Sequence, residues 1–285
     1  MLEISVLIVS YNSWNYIKNT LKSVLEQTYK NIEILVLDNN SKDNTIKNIE
    51  NIIKQDDRIK LFKSEKNLWP YWGLNFLLKK ANWNYIAIQD HDDIWHSKKL
   101  EKQIEFLDKN NEYIWCWTEA IMYYENDKTF FKYYLWQQNY YTIHPSLVFR
   151  NNKIFKYDES LVYFWDAYSQ KVNLCNNKKL IYNIKEPLTL HIIKWWYSNF
   201  TYSWFKFNKK YIKRIFNLHN FSLYSFFVLF YEIFRKILLL FLKIFKNEKI
   251  FIFFDRLPYR LTWNKIIKIS KTKEKNIKEI RDKYL

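Results

Sequence analysis

Three carboxylates fall within four residues at Asp90-His91-Asp92-Asp93, one residue after the apolar run Tyr85 to Ile88. Like charges at that spacing repel unless a cation lies among them, so the segment reads as a divalent-metal site or as a solvated acidic turn. Mg2+ or Mn2+ takes few protein carboxylates and completes its shell with water and phosphate oxygens, which suits a diphosphate ligand. Asp38 follows another apolar run, Ile32 to Leu37, where a carboxylate can accept a hydrogen bond from a base or ribose. A turn residue ahead of the next helix is the plainer alternative. Ser10 and Tyr11 end a third run, and Asn67 opens the segment Asn67-Leu68-Trp69-Pro70-Tyr71-Trp72-Gly73, typical of a phosphate-approaching turn except for two tryptophans that would crowd a ligand.

These residues need a frame that brings them together. Ile4 to Val9, Ile32 to Leu37, Ile59 to Phe62 and Tyr85 to Ile88 are apolar without alternation, as strands covered on both faces are. Between them lie helical stripes: Ile17, Leu21, Val24 and Leu25 within Tyr16 to Gln27, with Asn12 or Ser13 near the cap; Ile46, Ile49, Ile52 and Ile53 behind a Ser41 cap; and Leu74, Leu77 and Leu78 after a loop from Ser64 to Trp72. Ser97 can cap a further helix carrying Leu100, Ile104 and Leu107, ahead of a strand near Tyr113 to Cys116. Beta-alpha units in series predict a mainly parallel α/β sheet flanked by helices, with right-handed crossovers and a ligand edge beyond the strand ends. Ser10 to Asn12, Asp38 to Ser41, Ser64 to Asn67 and Asp90 to Asp93 all fall on that edge.

At 285 residues the chain can hold a catalytic core of about 200 residues and a sizeable appendage. The strand-like start leaves no room for a leader peptide, so the expected location is the synthesis side of the membrane. Two cysteines, Cys116 and Cys175, imply neither a disulfide framework nor a zinc site, and both read as core residues. A net charge of +17 calls for an anionic partner: nucleic acid, an anionic lipid surface or a phosphorylated substrate. The nucleic-acid option lacks a recognisable reading motif and would meet acid, not base, at the ligand edge. After about Phe205 basic and aromatic residues alternate with apolar runs. Phe221 to Phe245 is long enough to span a bilayer but carries Glu232, Arg235 and Lys236 at its centre, so it reads as lying on a membrane or packing on the catalytic domain.

Taken in order, Val6-Leu7-Ile8-Val9-Ser10-Tyr11-Asn12, Ser23-Val24-Leu25-Glu26-Gln27-Thr28-Tyr29, Leu37-Asp38-Asn39-Asn40-Ser41, Asn67-Leu68-Trp69, Ala81-Asn82-Trp83-Asn84-Tyr85-Ile86 and Asp90-His91-Asp92-Asp93-Ile94-Trp95 resemble family 2 of the inverting glycosyltransferases over about residues 4 to 199. The resemblance implies a GT-A, Rossmann-like fold at 1–205, with a nucleotide-binding half at 1–117 and an acceptor half at 118–205, followed by a helical, membrane-proximal tail at 206–285. It implies that Ser10, Tyr11, Asp38, Asn67 and Asp90 bind the nucleotide, with Asp38 at the base and Asp90 near the ribose. Asp92, with Asp90, is the implied ligand pair for Mg2+ or Mn2+ on the diphosphate; Asp93 has no firm role. Asp166 occupies the position of the base that deprotonates the acceptor hydroxyl, with Asp158 and Glu159 as competitors, and His191 and Lys194 stand in a basic segment near the diphosphate. The implied reaction moves a sugar from a UDP-, dTDP- or GDP-linked donor to a glycan or lipid-linked acceptor in envelope polysaccharide synthesis, at the cytoplasmic, inner face of the cell membrane and without nucleic acid. A binding-only relative of the same fold is the second reading.

One compositional feature departs from the pattern. The chain has a single glycine, Gly73, where about 20 are usual, and 13 tryptophans. Trp69, Trp72, Trp83, Trp115, Trp117 and the pair Trp195-Trp196 stand where similar sequences have glycine, whereas Trp95 is expected as tryptophan. Trp83, between a helix end and a strand, is the position where left-handed glycine is most expected. Either UGA codons read as glycine in the source cell are written here as tryptophan, or the tryptophans serve a membrane interface.

Overall fold

The apolar runs form strands whose two faces enter different cores. The computed structural model describes residues 4–125, 129–133, 143–153, 155–157, 159, 181–193, 230, 266–268, 280 and 283–284. Its parallel part runs β3-β2-β1-β4, from β1 (Ile4–Ser10), β2 (Ile32–Asp38), β3 (Ile59–Lys63) and β4 (Tyr85–Asp90). Val6, Ile8, Ile34 and Val36 face the stripes of α1 (Ile17–Leu25), α2 (Thr45–Ile53) and α4 (Lys99–Lys109), including Leu21, Val24, Ile49, Leu100, Ile104 and Leu107. Leu7, Leu35, Leu37, Ile86 and Ile88 face Tyr71, Leu74 and Leu77 of α3 (Pro70–Lys80). Burial on both faces is why no polar alternation marks these strands.

The rest of the sheet departs from the parallel expectation. β5 (Ile94–Trp95), β6 (Trp115–Tyr124), β7 (Thr129–Tyr133), β8 (Val148–Arg150), β9 (Ile181–Ile193) and β10 (Ile266–Lys268) complete a sheet of order β10-β7-β6-β8-β4-β1-β2-β3, with β9 beside β5 and β6. β8 runs antiparallel between β4 and β6, and β7 antiparallel to β6 with no crossover helix between them. The sheet is therefore mixed: parallel among β1 to β4 and again between β6 and β9, antiparallel where β8, β7, β10 and the β5–β9 pair join it. β6 also continues well past the short strand expected near Tyr113 to Cys116.

Local details differ from the sequence reading for physical reasons. α3 begins at Pro70, not after Trp72, because proline at the first helical position sets φ and forgoes only an N–H that would have no partner there. Ser41, Ser97 and Asn12 or Ser13 do not cap helices; the caps are Asn44, Lys98 and Tyr16, none with a side-chain capping bond. The Ser41 hydroxyl instead accepts the Asn12 N–H at 3.0 Å, and the Ser13 hydroxyl bonds Ser10 at 2.7 Å. Trp83 is not a left-handed residue: α3 ends on an extended Ala81, and the positive φ lies at Trp69. Cys116 is free and buried, with its thiol pushed up to about 12 by burial, so it is inert core; Cys175 lies outside the described residues.

Most of the segment 206–285, with Phe221 to Phe245 apart from Phe230, also lies outside them. Where the segment is described it is not all helix, since β10 adds a strand beside β7. Ile280 and Tyr284 pack with Ile94, Ile121, Leu190 and Ile192, and Lys283 pairs with Glu26 at 2.7 Å. Among the described residues no helix is long and apolar enough to cross a membrane.

Candidate functional site

Register places the candidate residues. Ser10 at the end of β1 pairs with Asp38 of β2, and its neighbour Val9 pairs with Asp90 of β4. Asp38 and Asp90 thus flank β1, two strand spacings or about 10 Å apart, at the carboxyl edge where the sequence put the site.

On the Asp38 side most of the cross-links between loops are uncharged, with the Asp43 carboxylate also accepting the Trp14 N–H at 3.3 Å. Asn12 Oδ1 accepts the Lys42 N–H at 2.8 Å, and the Ser10 carbonyl accepts the Asn39 N–H at 2.8 Å. Asn39 Nδ2 donates to Asn67 Oδ1 at 2.9 Å, while Asn39 Oδ1 accepts the Leu68 N–H at 2.8 Å. Ser10 and Asn67 are therefore occupied in shaping the loops, whereas Tyr11 is exposed at the edge. Asp38 is 1% exposed; its Oδ2 accepts the Ser41 N–H at 3.0 Å, and its Oδ1 is buried with no hydrogen-bond partner. A buried acceptor without a donor costs about 1–3 kcal/mol, which a ligand N–H would remove.

On the other side the acidic loop is charge-dense. Asp90 has His144 Nδ1 at 3.7 Å, and Asp92 has His91 Nε2 at 4.0 Å. Asp93 is fully buried: its Oδ2 meets His191 Nδ1 at 2.8 Å, and its Oδ1 accepts the Ile192 N–H at 2.9 Å. Burial, with the charges of Asp92 and Asp90, pushes the Asp93 carboxyl up to about 6 against the pull of His191. Burial disfavours charge on the His191 ring, but Asp93 more than offsets this and raises its pKa above the ordinary value. Asp90, Asp93 and His191 each offer a ligand atom, all within 4.8 Å of one another. This crowd of like charges with one imidazole fits a divalent cation.

The Gln27-Thr28 segment braces this loop from below. Gln27 Nε2 donates to the His96 carbonyl at 2.8 Å, Gln27 Oε1 accepts the Leu100 N–H at 3.0 Å, and Thr28 N–H reaches the Ser97 carbonyl at 2.9 Å. Trp95 is buried, with its indole N–H on the Pro145 carbonyl at 2.8 Å. Of the base candidates, Glu159 accepts from Asn75 at 2.8 Å and has Lys156 at 3.9 Å; Asp158 and Asp166 lie outside the described residues, as do Lys194, Trp195 and Trp196.

A family model described as Glycosyl transferase family 2 matches residues 5–170, more than half of the chain. The chain belongs to this family. Relatives include the UDP-Glc:alpha-D-GlcNAc-diphosphoundecaprenol beta-1,3-glucosyltransferase WfgD of Escherichia coli, 42% identical over 108 residues that cover 38% of this chain and 42% of WfgD. The putative teichuronic acid biosynthesis glycosyltransferase TuaG of Bacillus subtilis is 38% identical over 104 residues, 36% of this chain and 41% of TuaG. The matched segment thus spans less than half of either relative. In fold the chain is similar to S. aureus TarS solved with UDP, at a TM-score of 0.59 and 19% identity over 76% of this chain and 64% of that one. It is also similar to the mannosyltransferase PcManGT from Pyrobaculum calidifontis, solved with GDP-Man and Mn2+, at a TM-score of 0.51 and 15% identity over 67% of this chain and 56% of that one.

Within this family 2 site the sequence reading missed two contributors and underweighted a third. Asn39, the bridge between loops, is indistinguishable in sequence from any turn asparagine. His144 reaches Asp90 from a 3-10 turn with no pattern to announce it. Asp93 had its neighbours in sequence but not its partner, which lies 98 residues away.

Proposed function

We propose that this family 2 chain transfers a sugar from a nucleoside-diphosphate sugar to a glycan or lipid-linked acceptor in envelope polysaccharide synthesis, with inversion. The observation that carries the reading is the partnerless, buried Oδ1 of Asp38 about 10 Å across the edge from the Asp90, Asp93 and His191 cluster. That spacing suits a nucleoside diphosphate, with its base on Asp38, its ribose near Asp90 and its diphosphate over the acidic loop. The imide or amide N–H of uracil, thymine or guanine is the donor Asp38 lacks, which matches UDP, dTDP and GDP donors alike.

Asp90 and Asp92 are the proposed carboxylate ligands of a divalent cation, and His191 joins them, held in place by Asp93. A bound cation neutralises charge on the departing diphosphate, and an imidazole in the set favours Mn2+ over Mg2+. Asp93 acts as a positioning residue: both its oxygens are engaged, one on the His191 ring and one on the Ile192 N–H. Asp166 is the proposed base, taking the proton of the acceptor hydroxyl as that oxygen attacks the anomeric carbon opposite the leaving nucleoside diphosphate. Glu159 is disfavoured for this task because Asn75 and Lys156 already hold it.

The names of WfgD and TuaG support an envelope glycan acceptor. The charge of +17 supports the inner face of the cell membrane as the place of action, with the catalytic domain at 1–205 and the basic segment 206–285 toward anionic lipid.

The test is thermal stabilisation by UDP, dTDP and GDP, each with and without Mn2+, on this chain and on Asp38→Ala. One nucleotide should stabilise the chain in a Mn2+-enhanced manner, and Asp38→Ala should bind it about 10- to 100-fold more weakly. A folded chain that responds to no nucleotide would refute the donor site and leave the binding-only reading.

A further inference from the structure

We propose that position 69 is glycine in the protein as its source cell makes it, from a codon that this sequence reads as tryptophan. Two unrelated features of the structure point there. Trp69 has φ 66° and ψ 156°, a region that only glycine enters readily because a Cβ clashes with the backbone. Trp69 is also the N-cap of α3, where Ser, Thr, Asp, Asn and Gly are favoured; its indole offers no capping oxygen, and no side-chain capping bond forms.

The conformation is imposed from both sides. Asn39 grips Leu68 N–H and Asn67, and Asn67 Oδ1 in turn accepts the Trp69 N–H at 3.0 Å, so the chain entering position 69 is fixed by the loop network of the site. Pro70 follows, which requires an extended ψ at position 69 and sets the first helical φ. The Trp69 carbonyl must then accept the Gly73 N–H at 3.1 Å to start α3. A residue that leaves that network and enters a proline-led helix at this angle needs a positive φ. Two of the other positive-φ positions, at Asn12 and Asn40, carry a residue type that tolerates it.

Composition gives the independent argument. One glycine among 285 residues, with 13 tryptophans, is what a chain looks like when a codon that carries most of its glycines is written as tryptophan. UGA differs from the tryptophan codon UGG at one base and is the candidate. Not every tryptophan belongs to this class. Trp95 is fully buried and needs its indole N–H for the Pro145 carbonyl, so it is a true tryptophan and an internal control.

The experiment has two arms. In the gene, codon 69 should be UGA and codon 95 UGG, and the peptide spanning position 69 from the native cell should have the mass of the glycine form. A UGG codon at 69, or the tryptophan mass, would overturn the proposal. In the second arm, Trp69→Gly and Trp69→Ala are compared with the Trp69 chain by thermal unfolding. Glycine should raise Tm by about 3–10 °C and by clearly more than alanine, since alanine removes the bulk but keeps the Cβ. If alanine does as well as glycine, the backbone argument fails.

Discussion

The two ends of the ligand edge are held by different forces. Around Asp38 the loops after β1, β2 and β3 are tied by short contacts among asparagine and serine side chains and backbone groups, such as Asn39 to Asn67 at 2.9 Å. These bonds need no ion and are indifferent to pH. Around Asp90 the loop after β4 is held by charges: Asp93 meets His191 at 2.8 Å, and burial first, then the charges of Asp92 and Asp90, raises the Asp93 carboxyl. One end is a network of mostly uncharged contacts around a buried Asp38 oxygen that has no donor; the other is a cluster whose repulsion a cation would relieve. Recognition of a base needs fixed geometry, whereas neutralising a leaving group needs charge whose balance changes when ligand arrives.

The contrast is broken most directly at Asp90. Asp90→Asn should abolish the Mn2+-dependent part of nucleotide stabilisation and lower sugar transfer by about 100- to 1000-fold, while the metal-free response through Asp38 persists. An unchanged Mn2+ response in that variant would show that the two ends are not separate devices. A smaller effect is expected one layer back, at Asp93. Asp93→Ala should weaken Mn2+ binding, followed by the paramagnetic signal of the metal, by about 10- to 100-fold; Asp93→Asn, which keeps an acceptor for the His191 ring, should recover part of it. Equal losses in the two variants would assign Asp93 a role through its charge, not through orientation.

The smallest effect concerns the footing of the acidic loop. Lys99 is fully buried, lies 3.9 Å over the Trp95 ring and has no hydrogen-bond partner for its Nζ. Burial depresses its pKa well below 10.5. Between that depressed value and 10.5 the unfolded chain holds a proton that the folded chain does not, so this lysine makes stability rise with pH across the window. Lys99→Met should stabilise the fold by about 1–3 kcal/mol at neutral pH and flatten that rise, as measured by urea unfolding from pH 7 to about pH 10. A destabilised variant with the slope intact would mean that Lys99 is charged in the fold and contributes through the indole face.

Much of the edge from Asp38 to Asp90 was legible in the chain because its causes are local. A strand covered on both faces is a short apolar run, and the polar residue at its end is where the chain leaves the sheet. Ser10, Asp38 and Asp90 could therefore be placed from their immediate neighbours, and the succession of beta-alpha units put those ends on one edge. The same locality failed where a long-range contact decided. Trp83 had the sequence position of a left-handed residue, but α3 ends on an extended Ala81, and the positive φ falls at Trp69, where Asn39 and Pro70 constrain the chain together. The resemblance put His191 near the diphosphate, but its contact with Asp93 rests on β9 pairing with β5, Ile94 opposite Leu190, a register that no residue near either partner encodes. Hydrophobic period and strand ends are properties of neighbouring residues, and the sequence determined them. Which distant side chains meet at the site depends on how separately formed strands align to bury a shared core, and the tertiary structure alone decided that.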